Sequence, residues 1–261
     1  MHPAAMRVKV SPLAGCVVGL SLASANVGTA QPVAVRFAET PANRALVLRS
    51  LDGKILAQGG LKQTVRDGRA TSQVVFHFTD GSVHDETTVF SQNDVFLLLS
   101  YRLVQKGPAF RRTLEMTLDT QTGRVVVRHR EGSGAEELED ETLDLSSDVA
   151  NGMMVPVLKN LSSRSVPAAA SWVAATPIPR HVRLTISNGG AELLSIAGSQ
   201  RRAMHYVVKA EIGGLAGLLA PLVGKQPPDT HVWILEGAAP AFVKSEGPLY
   251  VGGPVWRIEV P

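Results

Sequence analysis

The chain has 261 residues, with 26 Lys+Arg against 23 Asp+Glu and a single cysteine. That length holds one sizeable domain or two small ones. One cysteine excludes an internal disulfide, and so even a charge balance offers no basic face for a nucleic-acid partner.

Arg7 and Lys9 stand in the first ten residues without an acid. Residues 13–27 carry no charge, and Leu13, Val17, Val18, Leu20 and Leu22 make them apolar. Gly28 and Ala30 then supply small residues before Gln31-Pro32. Basic, apolar and small segments in that order predict a cleavable secretory signal peptide over 1–30 and a periplasmic or extracellular product. The apolar run is too short for a spanning helix, which needs ~20 residues. Leu13-Ala14-Gly15-Cys16 resembles a bacterial lipobox, but most of the apolar segment follows Cys16. Cleavage after Ala30 is therefore expected, with a lipid anchor at Cys16 as the alternative. The leader holds two of the 26 bases and the only cysteine. Its removal leaves a near-neutral chain without thiol nucleophiles or Cys-based metal sites.

Residues 31–261 read as a single β-rich domain. Strand-like segments rich in β-branched and aromatic residues alternate with turn chemistry. They fall at 33–38, 45–49, 56–65, 72–79, 83–90, 94–104, 112–118 and 124–130. Asp67-Gly68 and Asp80-Gly81 predict two-residue hairpin turns, since a type I′ turn needs positive φ at both central residues. Arg124, Arg128 and Arg130 face a run of acids at 136–141, which predicts a charged, solvated hairpin. Residues 148–161 carry Met153, Met154, Val157, Leu158 and Leu161 at helical spacing, with Asp148 as the N-cap and Pro156 as a source of kinking. A Ser-, Ala- and Pro-rich stretch at about 162–179 reads as a connector. Strands resume at 181–187, with Asn188-Gly189-Gly190 as a turn, then at 191–197, 203–212, 231–235, 241–244 and 255–260.

Three segments could carry chemistry. A two-residue turn at Asp80-Gly81 would set His77 opposite His84, with Glu86 on the same face by period two. Two imidazoles and a carboxylate could hold a divalent ion, and the alternative is the water-facing side of a hairpin. Leu215, Leu218, Leu219, Leu222 and Val223 form one apolar helical stripe between Gly213-Gly214 and Pro227-Pro228. It is either a core-packing helix or a cover over an apolar cavity. With Met153 and Met154, these leucines are the candidate ligand-covering residues. The remaining histidines (His129, His181, His205 and His231) stand in no known catalytic motif. Asn160-Leu161-Ser162 fits a glycosylation sequon. No cofactor motif is present, and none is expected.

The stretch from Asp148 through Asn151-Gly152 and Lys159-Asn160 to Leu161 resembles a segment of uncharacterised secreted bacterial proteins of the DUF3108-like kind. So does the stretch from Tyr206, Lys209 and Glu211 through Gly224-Lys225-Gln226 to Asp229. The resemblance implies a mainly antiparallel β fold in the cell envelope and attaches no activity, so no catalytic residue carries over. The expectation is a mainly β protein with one large curved antiparallel sheet, of half-barrel, clam or barrel-like shape, and one or two short helices. The first functional expectation is a non-enzymatic envelope protein that binds a lipid or other apolar molecule. The alternatives are an interaction module with an envelope protein partner and an exported metal-dependent hydrolase. No nucleic-acid partner and no transmembrane span are expected in the mature chain.

Overall fold

The computed structural model describes residues 31–162, 165–211 and 227–261. The expected leader with Cys16, and the stripe of Leu215, Leu218, Leu219 and Leu222, lie outside the described residues. Strands β1 (Ala42–Ser50), β2 (Ile55–Arg66), β3 (Arg69–Phe78), β4 (Val83–Gln92), β5 (Phe96–Lys106), β6 (Thr113–Asp119), β7 (Arg124–Arg130) and β8 (Glu137–Thr142) form one antiparallel meander. Strands β9 (Ala168–Ala174), β10 (Arg180–Ile196), β11 (Ser199–Ala210), β12 (Thr230–Leu235), β13 (Ala241–Pro248) and β14 (Val255–Glu259) form a second. Pairing of β1 with β14, from Val47 opposite Glu259 to Ser50 opposite Trp256, joins them into a single open sheet of 14 strands.

Period two drives the curl. Leu114, Met116 and Leu118 of β6 and Val125 and Val127 of β7 are buried, while Thr117, Arg124, Arg128 and Arg130 between them face water. Most strands have one apolar face, and a sheet this wide satisfies it by wrapping. The main core accordingly joins side chains from both meanders, including Phe90, Leu103 and Met116 from the first and Val182, Ile186 and Ile234 from the second. The outer edge strand β8 carries the expected charges: Arg124 pairs with Asp140 at 2.6 Å across the β7–β8 hairpin. Charged edges of this kind discourage pairing with other chains.

Two of the expected turns differ, each for a local reason. Asp67-Gly68 is the two-residue turn predicted, with φ of 49° and 70°. At Asp80-Gly81 the Asp80 carboxylate instead accepts from the Ser82 amide at 2.9 Å, and the Gly81 amide donates to the Phe78 carbonyl. The result is a three-residue loop with Gly81 at φ 85°, a conformation that favours glycine. Register moves by one residue, so His77 faces Val83 and His84 faces Phe76. At 188–190 the chain does not turn. Asn188 and Gly190 form a bulge, β10 continues, and the turn comes at Ala197-Gly198 with φ of 48° and 77°.

Residues 143–167 run from the β8 edge to the β9 edge and carry the helix α1 (Met154–Asn160). It is shorter than the spacing predicts, because 148–151 is drawn to the sheet edge. The Ser171 amide donates to the Asp148 carbonyl, the Ala150 amide donates to the Ser171 carbonyl, and the Asp148 carboxylate accepts from the Ser171 hydroxyl. Asn151 makes both amide bonds with the Val173 backbone at 2.8 Å. A side chain used this way cannot cap a helix. Pro156 lies in the first turn, where its missing N–H has no intrahelical partner to lose. The stretch expected to be a connector contains β9, an Ala-rich strand with Trp172 and Val173.

Candidate functional site

The concave face encloses a cavity of about 430 Å³ between β1–β5, β12–β14 and α1. Ligand pockets commonly span ~300–1,000 Å³. Leu46, Leu48, Leu61, Val74, Val232, Phe242, Trp256 and Ile258 make most of its wall apolar. These positions follow from inward parity in each strand.

Tyr250 and Trp256 on its wall are backed by further aromatic rings. Phe78 meets Phe110 at 5.4 Å and Trp256 at 5.6 Å between centroids, and Phe110 meets Tyr250 at 5.5 Å. Burial raises the Tyr250 phenol above its ordinary value. Residues of α1, with Glu39 and Thr40 of the arm at 31–41, also line it, and polar groups fasten the arm to the helix. Asn160, 3% exposed, accepts from the Arg36 and Phe37 amides at 2.7 and 2.6 Å and donates to the Phe37 and Pro156 carbonyls. Lys159 pairs with Glu39 at 2.6 Å, and Gln92 exchanges two hydrogen bonds with the Glu39 backbone. An asparagine so engaged is closed to glycosylation in the folded protein, whatever its sequon suggests.

A polar strip crosses the apolar wall on β4 and β5. His84, Glu86, Tyr101 and Gln105 all line the cavity. The Gln105 amide donates to the Leu249 carbonyl at 3.1 Å and lies 3.1 Å from His84 Nδ1. Among the described residues His84 Nε2 has no hydrogen-bond partner, and it stands 3.9 Å from the Glu86 carboxylate. Burial, then the Glu86 charge and its hydrogen bond with the phenol, hold the Tyr101 hydroxyl well above its ordinary range. Gly152, at φ 67°, brings the start of α1 onto this strip. A Cβ there would lie 1.9 Å from Thr88 Oγ1 and 3.3 Å from Glu86 Oε1.

The structure therefore divides the candidate residues. Met154 lines the cavity, whereas Met153, 2% exposed, is packed in the core. His84 and Glu86 share one face, and it is the inner one. His77 does not join them: the one-residue register change places it exposed on the outer face, because side chains alternate at every step. The His77, His84 and Glu86 metal trio is not assembled, and among the described residues no three His, Cys, Asp or Glu side chains form a group that could hold a metal. Gln105, Tyr101, Lys159 and Glu39 were not among the sequence candidates. One signal was present: His84, Glu86 and Thr88 are three polar residues at one parity of β4. That reads as an inner polar strip only once the register is known.

A second histidine cluster lies on the outer face. His205 stacks on Trp233 at 4.4 Å, with His205 Nε2 2.8 Å from His231 Nδ1. Lys244 lies 4.0 Å over the Trp233 ring. Burial first, then the neighbouring His231, lower the His205 pKa, against the pull of Glu192 and a hydrogen bond with the Gly189 backbone.

Among the described residues no helix is long and apolar enough to cross a membrane. No protein-family profile matches the chain, and no curated protein matches it. Among solved structures it is similar to the crystal structure of a beta-barrel-like protein of the domain of unknown function DUF1849 from Brucella abortus. That likeness is at 10% identity, covers 86% of this chain and 100% of that one, and has a TM-score of 0.44.

Proposed function

We propose that this chain is an exported cell-envelope protein that binds a lipid or other apolar small molecule in the cavity of its curled sheet. The cavity carries the reading: about 430 Å³ of space is walled mainly by Leu, Val, Phe and Trp side chains inside a sheet that could otherwise have packed solid. The order of basic, apolar and small segments in residues 1–30 supports the export part of the reading.

The test is direct. Protein purified from its source without detergent is extracted with organic solvent, and the extract is analysed by mass spectrometry beside that of a Leu61→Trp variant. Leu61 faces the cavity, and an indole there fills space. The reading expects a stoichiometric apolar compound that the variant loses while it keeps its fold. An empty native protein that also fails to take up any added amphiphile ends it.

A further inference from the structure

The proposed ligand-binding reading leaves the chemistry of the ligand open, and the polar strip narrows it. Gln105 Nε2 donates to the Leu249 carbonyl, which identifies that atom as the amide nitrogen. Its second hydrogen points to His84 Nδ1 at 3.1 Å, so Nδ1 accepts and the ring proton of neutral His84 sits on Nε2. That N–H is buried, with His84 3% exposed, and it lacks an acceptor among the described residues. Glu86 Oε2, at 3.9 Å, is beyond hydrogen-bond range. Among the described residues, Glu86 has no lysine or arginine within ion-pair distance, although its side chain is only 23% exposed. The polar strip thus presents a donor without an acceptor beside a carboxylate that already accepts from the Tyr101 hydroxyl and has room for a second donor.

One group answers both. We infer that the ligand is an apolar molecule ending in an alcohol, whose hydroxyl oxygen accepts from His84 Nε2–H while its proton is donated to the Glu86 carboxylate. A gap of 3.9 Å is spanned by an oxygen at ordinary hydrogen-bond distance from each side. An ether satisfies only His84. A carboxylate meets the Glu86 charge in a site of low dielectric and is rejected. A protonated amine satisfies Glu86 and leaves the His84 N–H facing a second donor.

Four probes with one chain length separate these cases: dodecanol, dodecyl methyl ether, dodecylamine and dodecanoate. Binding is followed through tryptophan fluorescence, since Trp172 and Trp256 line the cavity. The inference expects dodecanol to bind about tenfold tighter than the ether and dodecanoate, the size of one hydrogen bond to a charged group. In Glu86→Gln the alcohol-to-ether ratio falls about fivefold and the dodecanoate affinity rises, while near-UV circular dichroism reports the fold. Equal affinities for alcohol and ether, with water alone serving the pair, overturn the inference and leave the apolar-ligand reading standing. Tighter binding of the amine, or of dodecanoate, also overturns it. Failure of all four probes to bind overturns the apolar-ligand reading itself.

Discussion

Two regions around the cavity are held together by different physics. In one, Phe78, Phe110, Tyr250 and Trp256 pack ring against ring, and the stabilisation is burial without direction. In the other, Asn160, Lys159, Glu39 and Gln92 fasten α1 and the arm by hydrogen bonds and an ion pair. A ring cluster loses its contacts gradually and belongs to the global fold. A polar clasp is either made or broken, and water competes for each of its bonds. The clasp is therefore the part expected to open first, and the aromatic cluster is the floor expected to hold.

The largest expected effect breaks the floor. Phe78→Ala removes a ring, 8% exposed, that touches both Phe110 and Trp256, and should lower the unfolding free energy by about 3–5 kcal/mol in urea titration. Asn160→Ala strips the arm's acceptor and should cost about 2–3 kcal/mol, with a local signature. The amides of Arg36 and Phe37 should exchange with deuterium well before those of β6 and β7. Equal acceleration of exchange throughout the sheet in that variant would erase the distinction between clasp and floor.

Gly152→Ala sharpens the same contrast at the hinge of the clasp. It forces a side chain into positive φ with Cβ against Thr88 Oγ1, and should cost about 2 kcal/mol. Met154 and Lys159 ride on the helix that follows, so ligand release should quicken as well. Stopped-flow release rates that match the parent would show that α1 does not carry the opening. Lys159→Met should cost about 1–3 kcal/mol by leaving Glu39 without its cation, with Glu39 at 11% side-chain exposure. Adding Glu39→Gln to that variant should recover most of the loss, because the uncompensated charge is then gone.

Much of this frame was legible beforehand. The inner apolar rows of β5, β6 and β7 follow from period two, and Asp67-Gly68 forms the turn its φ preference demands. The site was less legible because it depends on register. One hydrogen bond from the Ser82 amide to Asp80 converts a two-residue turn into three and sends His77 outward. The clasp was hidden for another reason. Asn160 binds residues 36 and 37 from more than 120 positions away, a pairing that no local pattern encodes. Asp148 misled in the same way, since a cap residue and an edge-pairing residue look alike until the edge strand is placed.

The smallest expected effect carries the contrast to the outer face, where one residue shows both modes. His205 stacks on Trp233, which is burial without direction, and shares a directional contact with His231. Burial, then His231 and more weakly Lys244, push its pKa below the ordinary 6.5, while Glu192 and the Gly189 backbone only partly oppose them. A histidine with a depressed folded-state pKa binds its proton more readily when unfolded. Its stabilising contribution is full above pH 6.5 and is lost as pH falls from there through the lower folded value. Thermal midpoints should therefore decline between pH 7 and pH 5. His205→Phe keeps a ring on Trp233 and removes the titration, so its melting temperature should vary less over that window and match the parent most closely at pH 8. If the variant instead loses stability equally at both ends of the range, the contact with His231 matters more than the stack, and on this face direction outweighs burial.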